Sequence, residues 1–250
     1  MDDAARLDAF LVNFAAIPSP KILVHGGGKI ATQLAENLGI PQTILEGRRI
    51  TDAETLRIAI MVYGGLANKQ IVAKLQALNC PALGVCGADG DLLRAHKRKN
   101  TGIDYGFVGD IDTVNAPLID RWLGQGLTPV VAPLSHDGKG QLLNTNADTI
   151  AQEIAQAMSQ AFHVELIFGF EKSGVLLDLN DPNSRLSSLH FEQYQDLKSR
   201  KIITEGMIPK LDNAFSALKK GVRKVIIGQA ENLLQLVEGH DGTSIVWEEF

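Results

Sequence analysis

Short apolar runs alternate along this chain with stretches in which apolar residues recur at helical spacing. The short runs predict strands at residues 21–24, 42–45, 82–86, 129–133, 141–144, 164–170 and 224–228, several rich in β-branched side chains. Helical spacing appears at 29–38, where Ile30, Ala31, Leu34 and Leu38 share a face, and at 148–162, where Ile150, Ile154, Ala155, Met158 and Phe162 do. Further helices are predicted at 2–14, 51–78 and 210–218. Thr51-Asp52-Ala53-Glu54 has the form of a capping box with Thr51 as the cap, and Gly221 stops the last helix. This alternation predicts an α/β protein with a mainly parallel sheet covered on both faces. Residues 101–110 read as a turn-rich hairpin and 177–188 as a polar surface loop. No internal repeat or tether interrupts the pattern, so any lobe boundary is crossed by packed structure.

With 250 residues, 45% of them hydrophobic, the chain can bury a full core as one large domain or two intimate lobes. A net charge of −5 weighs against nucleic acid as a partner, and the basic cluster from Arg94 to Lys99 reads as a solvated loop. No apolar run approaches the roughly 20 residues that cross a bilayer, and the first residues lack a signal-peptide layout. The expectation is a cytoplasmic protein with no membrane partner. The spacing of Cys80 and Cys86 suits neither a zinc ribbon nor a redox pair, so both read as reduced structural thiols and no metal-ligand set is expected.

Three segments carry chemistry. Gly26-Gly27-Gly28 lies between an apolar run and an amphipathic stretch opening at Lys29, a strand–glycine–helix order that offers backbone N–H groups and a helix N-terminus to an anion. Asn144-Thr145-Asn146-Ala147-Asp148 clusters polar side chains on a strand-to-helix turn, where open α/β sheets bind ligands. Helix capping by Asn146 or Asp148 accounts equally well for one of them. Glu205-Gly206-Met207-Ile208-Pro209-Lys210 delivers a lysine to a first helical turn, against the helix dipole; an ordinary surface lysine is the alternative. Residues 26–31 also fit a loose dinucleotide-binding pattern, with Glu46 where a ribose-binding acid would stand.

Taken in order, His25-Gly26-Gly27-Gly28, Gly47-Arg48-Arg49-Ile50-Thr51, Ala67-Asn68-Lys69, Gly87-Ala88-Asp89-Gly90, Gly106-Phe107-Val108-Gly109, Leu143-Asn144-Thr145-Asn146-Ala147-Asp148, Gly174-Val175-Leu176 and Gly206-Met207-Ile208-Pro209-Lys210 resemble acetylglutamate kinase, of the amino acid kinase superfamily. The resemblance implies a three-layer sandwich with a mainly parallel central sheet in two lobes, residues 1–159 for the amino-acid substrate and for dimerisation, residues 160–250 for the nucleotide. It implies ATP-dependent phosphorylation of the γ-carboxylate of N-acetyl-L-glutamate, the second step of arginine biosynthesis. Lys210 then lies against the phosphates, Asp148 organises the active-site lysines, and Gly27 and Gly28 supply N–H groups near the transferring phosphoryl. Arg49 grips the substrate carboxylate with Asn144 and Asn146 nearby, while Glu171, Gly174, Gly206 and Met207 join Lys210 at the nucleotide. Glu171 stands where many members carry aspartate. Magnesium is held mainly by the nucleotide phosphates.

By the same resemblance the helical region 54–78, with Leu56, Ile60, Met61 and Tyr63, forms a two-fold dimer. Family members carry a strand ending in a lysine and two glycines ahead of the helix at 2–14; without it one phosphate-facing lysine would be missing. Without a further N-terminal helix the expectation is a homodimer not inhibited by arginine. His25 reads as structural, because a carboxylate nucleophile is already ionised at neutral pH. N-succinylglutamate is the alternative substrate, and a catalytically weak regulatory member or a dinucleotide-binding protein are the alternatives of other classes.

Overall fold

Asp3 opens the first helix, α1 (Ala4–Ala16): its carboxylate accepts from the N–H groups of Ala5 and Arg6 at 2.9 and 3.1 Å. Lys21 closes the other end, donating to the carbonyls of Phe14, Ala15 and Ile17 at 2.9, 2.8 and 2.5 Å. A cation there bonds carbonyls at the helix end, that of Phe14 shared with the Ile17 N–H, and complements the negative end of the dipole. Lys21→Met is therefore expected to destabilise the protein by about 1–3 kcal/mol, seen as an earlier urea midpoint. An unchanged midpoint would mean that water serves these carbonyls equally well.

The computed structural model describes residues 3–45, 48–99, 102–178, 180–203 and 207–247. The chain divides into two compact units, Met1–Ile150 and Ala151–Phe250. In chain order the first holds α1, β1 (Leu23–Val24), α2 (Gly28–Asn37), β2 (Ile44–Leu45), β3 (Arg48–Arg49), α3 (Ala53–Ala59), a π-helical stretch at Ile60–Ala67 and α4 (Asn68–Ala77). There follow β4 (Ala82–Val85), β5 (Leu93–Lys97), β6 (Gly109–Val114), α5 (Ala116–Gly124), β7 (Thr128–Val131), β8 (Leu134–His136), β9 (Leu142–Asn144) and the start of α6 (Ala147–Met158). Strands β1, β7 and β4 form a parallel sheet in the order β1-β7-β4, with Val131 beside both Val24 and Val85. All four residues of β7 are buried, as a central parallel strand requires. Ala31 and Ala35 of α2 pack with Ile58, Ala59, Val62 and Tyr63 over Ala132 and Leu134.

The second unit contains β10 (Glu165–Phe170), β11 (Ser188–His190), α7 (Phe191–Ser199), α8 (Ile208–Lys219), β12 (Lys224–Gln229), α9 (Leu233–Glu238) and β13 (Thr243–Val246). Its sheet runs β10-β12-β13-β11, parallel except between β12 and β13. Leu211, Ala214 and Phe215 of α8 close over Val225 and Ile227. Parallel-rich sheets layered with helices are the α/β architecture the alternation predicts.

Four local readings change. The cap of α3 is Asp52, whose carboxylate accepts from Thr55 N–H at 2.8 Å; the Thr51 hydroxyl is committed elsewhere. Most of the basic cluster is strand β5, with Leu93 and Ala95 buried and Arg94 and His96 exposed, so alternation rather than apolarity marks it. Residues 106–110 are no separate hairpin: Gly106 bridges Thr51, Val108 bridges Asn144, and β6 then pairs with β5. Thr101 lies outside the described residues. Within 177–188, Pro182–Ser184 is a 3-10 turn and Ser188 already belongs to β11.

Candidate active site

Strand β1 hands the chain to His25, whose N–H still pairs with the Val131 carbonyl at 3.2 Å, and Gly26 and Gly27 then turn it into α2. A Cβ at Gly27 would stand 2.9 Å from the Tyr63 ring, so the loop rests on that buried aromatic and only glycine fits. At Gly28 the nearest group to such a Cβ is the Arg49 guanidinium, 3.9 Å away.

Arg49 reaches from β3 to the first turn of α2. Its Nη2 donates to the Gly28 carbonyl at 3.0 Å and to Thr32 Oγ1 at 2.8 Å, and Nη1 donates to Gln42 Oε1. Buried Thr51 carries the linkage onward: its hydroxyl donates to the Arg49 carbonyl at 3.0 Å and accepts from Asn144 Nδ2 at 3.0 Å. The Gly28 carbonyl, Arg49, Thr51 and Asn144 are thus joined by consecutive hydrogen bonds from three separate stretches of chain. Two residues beyond Asn144, exposed Asn146 caps α6 by accepting from Thr149 N–H at 3.1 Å, and Asp148 sits in the first turn of that helix. Between them Thr145 is buried, bonded to Ser135 Oγ at 2.7 Å and to the Gly109 carbonyl at 3.2 Å, which pins the turn to its sheet.

In the second unit, Lys210 stands in the first turn of α8 with its ammonium 5.9 Å from the Phe168 ring and 5.6 Å from that of Phe170, at the end of β10. Beyond β10, Glu171 is exposed, whereas Gly174 is buried with φ +155°; a Cβ there would meet Thr243 Oγ1 at 2.5 Å. Thr243 holds this loop by accepting from Val175 N–H at 2.9 Å and donating to the Leu186 carbonyl at 2.6 Å. Met207 is buried just before α8. Gly206, Gly47 and Glu46 lie outside the described residues. Among the described residues no group of three or more His, Cys, Asp or Glu could hold a metal ion, and no helix is long and apolar enough to cross a membrane.

Residues 1–229 match the model of the amino acid kinase family. The chain belongs to the amino acid kinase family. Within it the chain is 52% identical to the acetylglutamate kinase of Cytophaga hutchinsonii, across 98% of this chain and 94% of that protein. It is also 52% identical to the acetylglutamate kinase of Parabacteroides distasonis, across 94% of this chain and 92% of that protein. These likenesses set it in the acetylglutamate kinase branch. A solved N-acetylglutamate synthase from Neisseria gonorrhoeae, complexed with coenzyme A and N-acetyl-glutamate, shares the fold with a TM-score of 0.85 at 21% identity. That likeness takes in 99% of this chain and 57% of the synthase.

The dinucleotide-binding alternative fails in this kinase on topology as well as on family. Among the described residues β2 pairs antiparallel with β3 and β1 lies beside β7, so no β1–α2–β2 unit is present there. Thr51 and Asn68 stand in motifs that carry the resemblance, but their hydrogen-bond partners had no signal in the local sequence. Thr51 was masked by its resemblance to a helix cap, and Asn68 stands inside a continuous helical pattern; each acts on partners distant in sequence.

Proposed function

We propose that the chain transfers the γ-phosphoryl group of ATP to the γ-carboxylate of N-acetyl-L-glutamate, giving an acyl phosphate and ADP as the second step of arginine biosynthesis. The observation that supports this reading is the bonded series Gly28–Arg49–Thr51–Asn144, which joins a glycine-opened helix start to an arginine and an amide, groups suited to an anion and a carboxylate. In a chain so similar to acetylglutamate kinases, that series supports binding of an acylated amino diacid.

The chemistry asks for positioning and charge stabilisation rather than for a base. A carboxylate is ionised at neutral pH, and phosphoryl transfer passes through a loose transition state whose charge spreads over the phosphoryl oxygens. The N–H groups of Gly27 and Gly28 and the Lys210 ammonium would offset repulsion between two anionic reactants, with Asp148 orienting the lysine. Arg49 would turn its guanidinium from its internal acceptors on Gly28, Thr32 and Gln42 to the substrate carboxylate, assisted by Asn144 and Asn146. Glu171, Gly174, Gly206 and Met207 complete the nucleotide side with Lys210. ATP enters as its magnesium complex, the ion held mainly by phosphate oxygens. Residues 1–159 serve the acylglutamate and 160–250 the nucleotide.

The assembly proposed is a cytoplasmic homodimer through the helical region 54–78. Leu56 and Tyr63 are buried in their own unit, whereas Met61 and Leu66 are 50% and 47% exposed, an apolar pair suited to a second copy of the chain. Sedimentation at twice the chain mass of 27.0 kDa is the expected result, and a monomer at micromolar concentration the contrary one.

The activity is tested by ADP release with N-acetylglutamate, N-succinylglutamate and free glutamate side by side. Highest kcat/KM with the acetyl compound is expected. A preference for the succinyl compound would move the substrate assignment, and release independent of any acceptor would remove the function.

A further inference from the structure

The segment Ala67-Asn68-Lys69 has no place in the chemistry above, yet it meets the glycine loop. Asn68 is 1% exposed, and its Nδ2 donates to the Val130 carbonyl at 2.9 Å and lies 3.1 Å from His25 Nε2. Its Oδ1 accepts from Lys69 Nζ at 3.0 Å, and the same ammonium donates to the Gly84 carbonyl at 2.9 Å. These partners fix the amide's orientation, since a flipped amide would set Oδ1 against a carbonyl and Nδ2 against an ammonium. His25 Nε2 must then be the acceptor. Its proton sits on Nδ1, which donates to the Gly26 carbonyl at 2.7 Å.

That last bond decides where the loop's donors point. The Gly26–Gly27 peptide is trans, so its C=O and N–H face opposite ways. Holding the Gly26 carbonyl against the imidazole turns the Gly27 N–H away from it. The π-helical stretch adds the second support, because it sets the Tyr63 ring beneath Gly27 and delivers Asn68 to His25 at its end. π-Helical turns are uncommon and recur at functional sites.

We propose that Asn68 is a positioning residue of the glycine loop, holding His25 as the Nδ1–H tautomer so that the Gly27 N–H is presented to the transferring phosphoryl group. The phosphoryl part rests on the kinase reading; the tautomer part does not. Burial pushes the His25 imidazole below its ordinary value of 6.5, and the Lys69 ammonium acts in the same direction against the opposing Gly26 carbonyl. Protonated His25 would turn Nε2 into a donor facing the donor Nδ2 of Asn68, so acid both strains the loop and lowers stability. The unfolded chain takes up this proton near pH 6.5 while the folded chain resists it. Stability is therefore complete above that pH and falls as the pH drops toward the depressed folded value.

The test uses the whole protein, whose 6 histidines give a tractable nitrogen-15 NMR spectrum, with His25 assigned by its loss in His25→Gln. The expected spectrum at pH 7.5 has Nδ1 protonated and Nε2 bare, with no titration at 6.5. An Nε2–H tautomer, or ordinary titration, overturns the proposal whether or not the protein is a kinase. In turnover, Asn68→Ala is expected to lower kcat about 10-fold or more, with both KM values within about threefold. Parent-like kcat in a folded Asn68→Ala protein overturns the catalytic part. If that variant does not fold, the parent's tautomer decides, and a parent without acylglutamate turnover removes the kinase reading alone.

Discussion

Lys210→Ala is expected to lower kcat by about 100-fold or more while leaving the fold intact. The ammonium stands in the first turn of α8, where the helix dipole opposes a cation at a cost of about 0.3–1 kcal/mol. Its position over Phe168 and Phe170 returns an amount of similar size, about 0.5–1 kcal/mol. The two terms are of similar size and opposite sign. The large expected effect on kcat comes from charge that develops on the phosphoryl group, because a fixed cation gains most where the transition state is more anionic than the ground state. Thermal unfolding near that of the parent together with the large loss of kcat is the expected pair of results. Equal turnover by the variant and the parent would remove Lys210 from the mechanism.

Arg49→Ala should act on the other substrate. Loss of a charge-assisted pair to a carboxylate costs about 1.5–3 kcal/mol, which corresponds to a rise in KM for the acylglutamate of about 10- to 100-fold. The KM for ATP should change little. Arg49→Lys should not restore binding, because a single ammonium cannot reproduce a fork that already joins Gly28, Thr32 and Gln42. An Arg49→Ala enzyme with parental KM for the acylglutamate would place substrate recognition elsewhere.

The elements that lead to this site were legible because their sequence signals are local. An apolar run, glycines and a helical repeat gave β1, the loop and α2, with edges off by one or two residues. Strands β5, β6 and β8 escaped because charged or polar residues interrupt their apolar positions; β5 reads Leu-Arg-Ala-His-Lys. The cap of α3 slipped by one residue because Thr51 and Asp52 are both good caps, and only the distant demand of Arg49 and Asn144 on the Thr51 hydroxyl separates them. Asn146 shows the reverse case: the local signal for capping was sound, and its amide oxygen does cap α6. The π-helical stretch left no trace in periodicity, since Ile60 to Ala67 is apolar on nearly every side. Its part in supporting Gly27 and His25 emerges only when residues 43 positions apart meet, as His25 and Asn68 do.

The most direct test of the central claim is to trap the product. Incubated with magnesium ATP, N-acetyl-L-glutamate and hydroxylamine, the protein is expected to form the γ-hydroxamate of N-acetylglutamate in step with ADP. An acyl phosphate is the species that hydroxylamine intercepts, and free glutamate should give little hydroxamate. ADP formed at the same rate without the acylglutamate, or ADP formed with no hydroxamate, would contradict phosphoryl transfer to the γ-carboxylate.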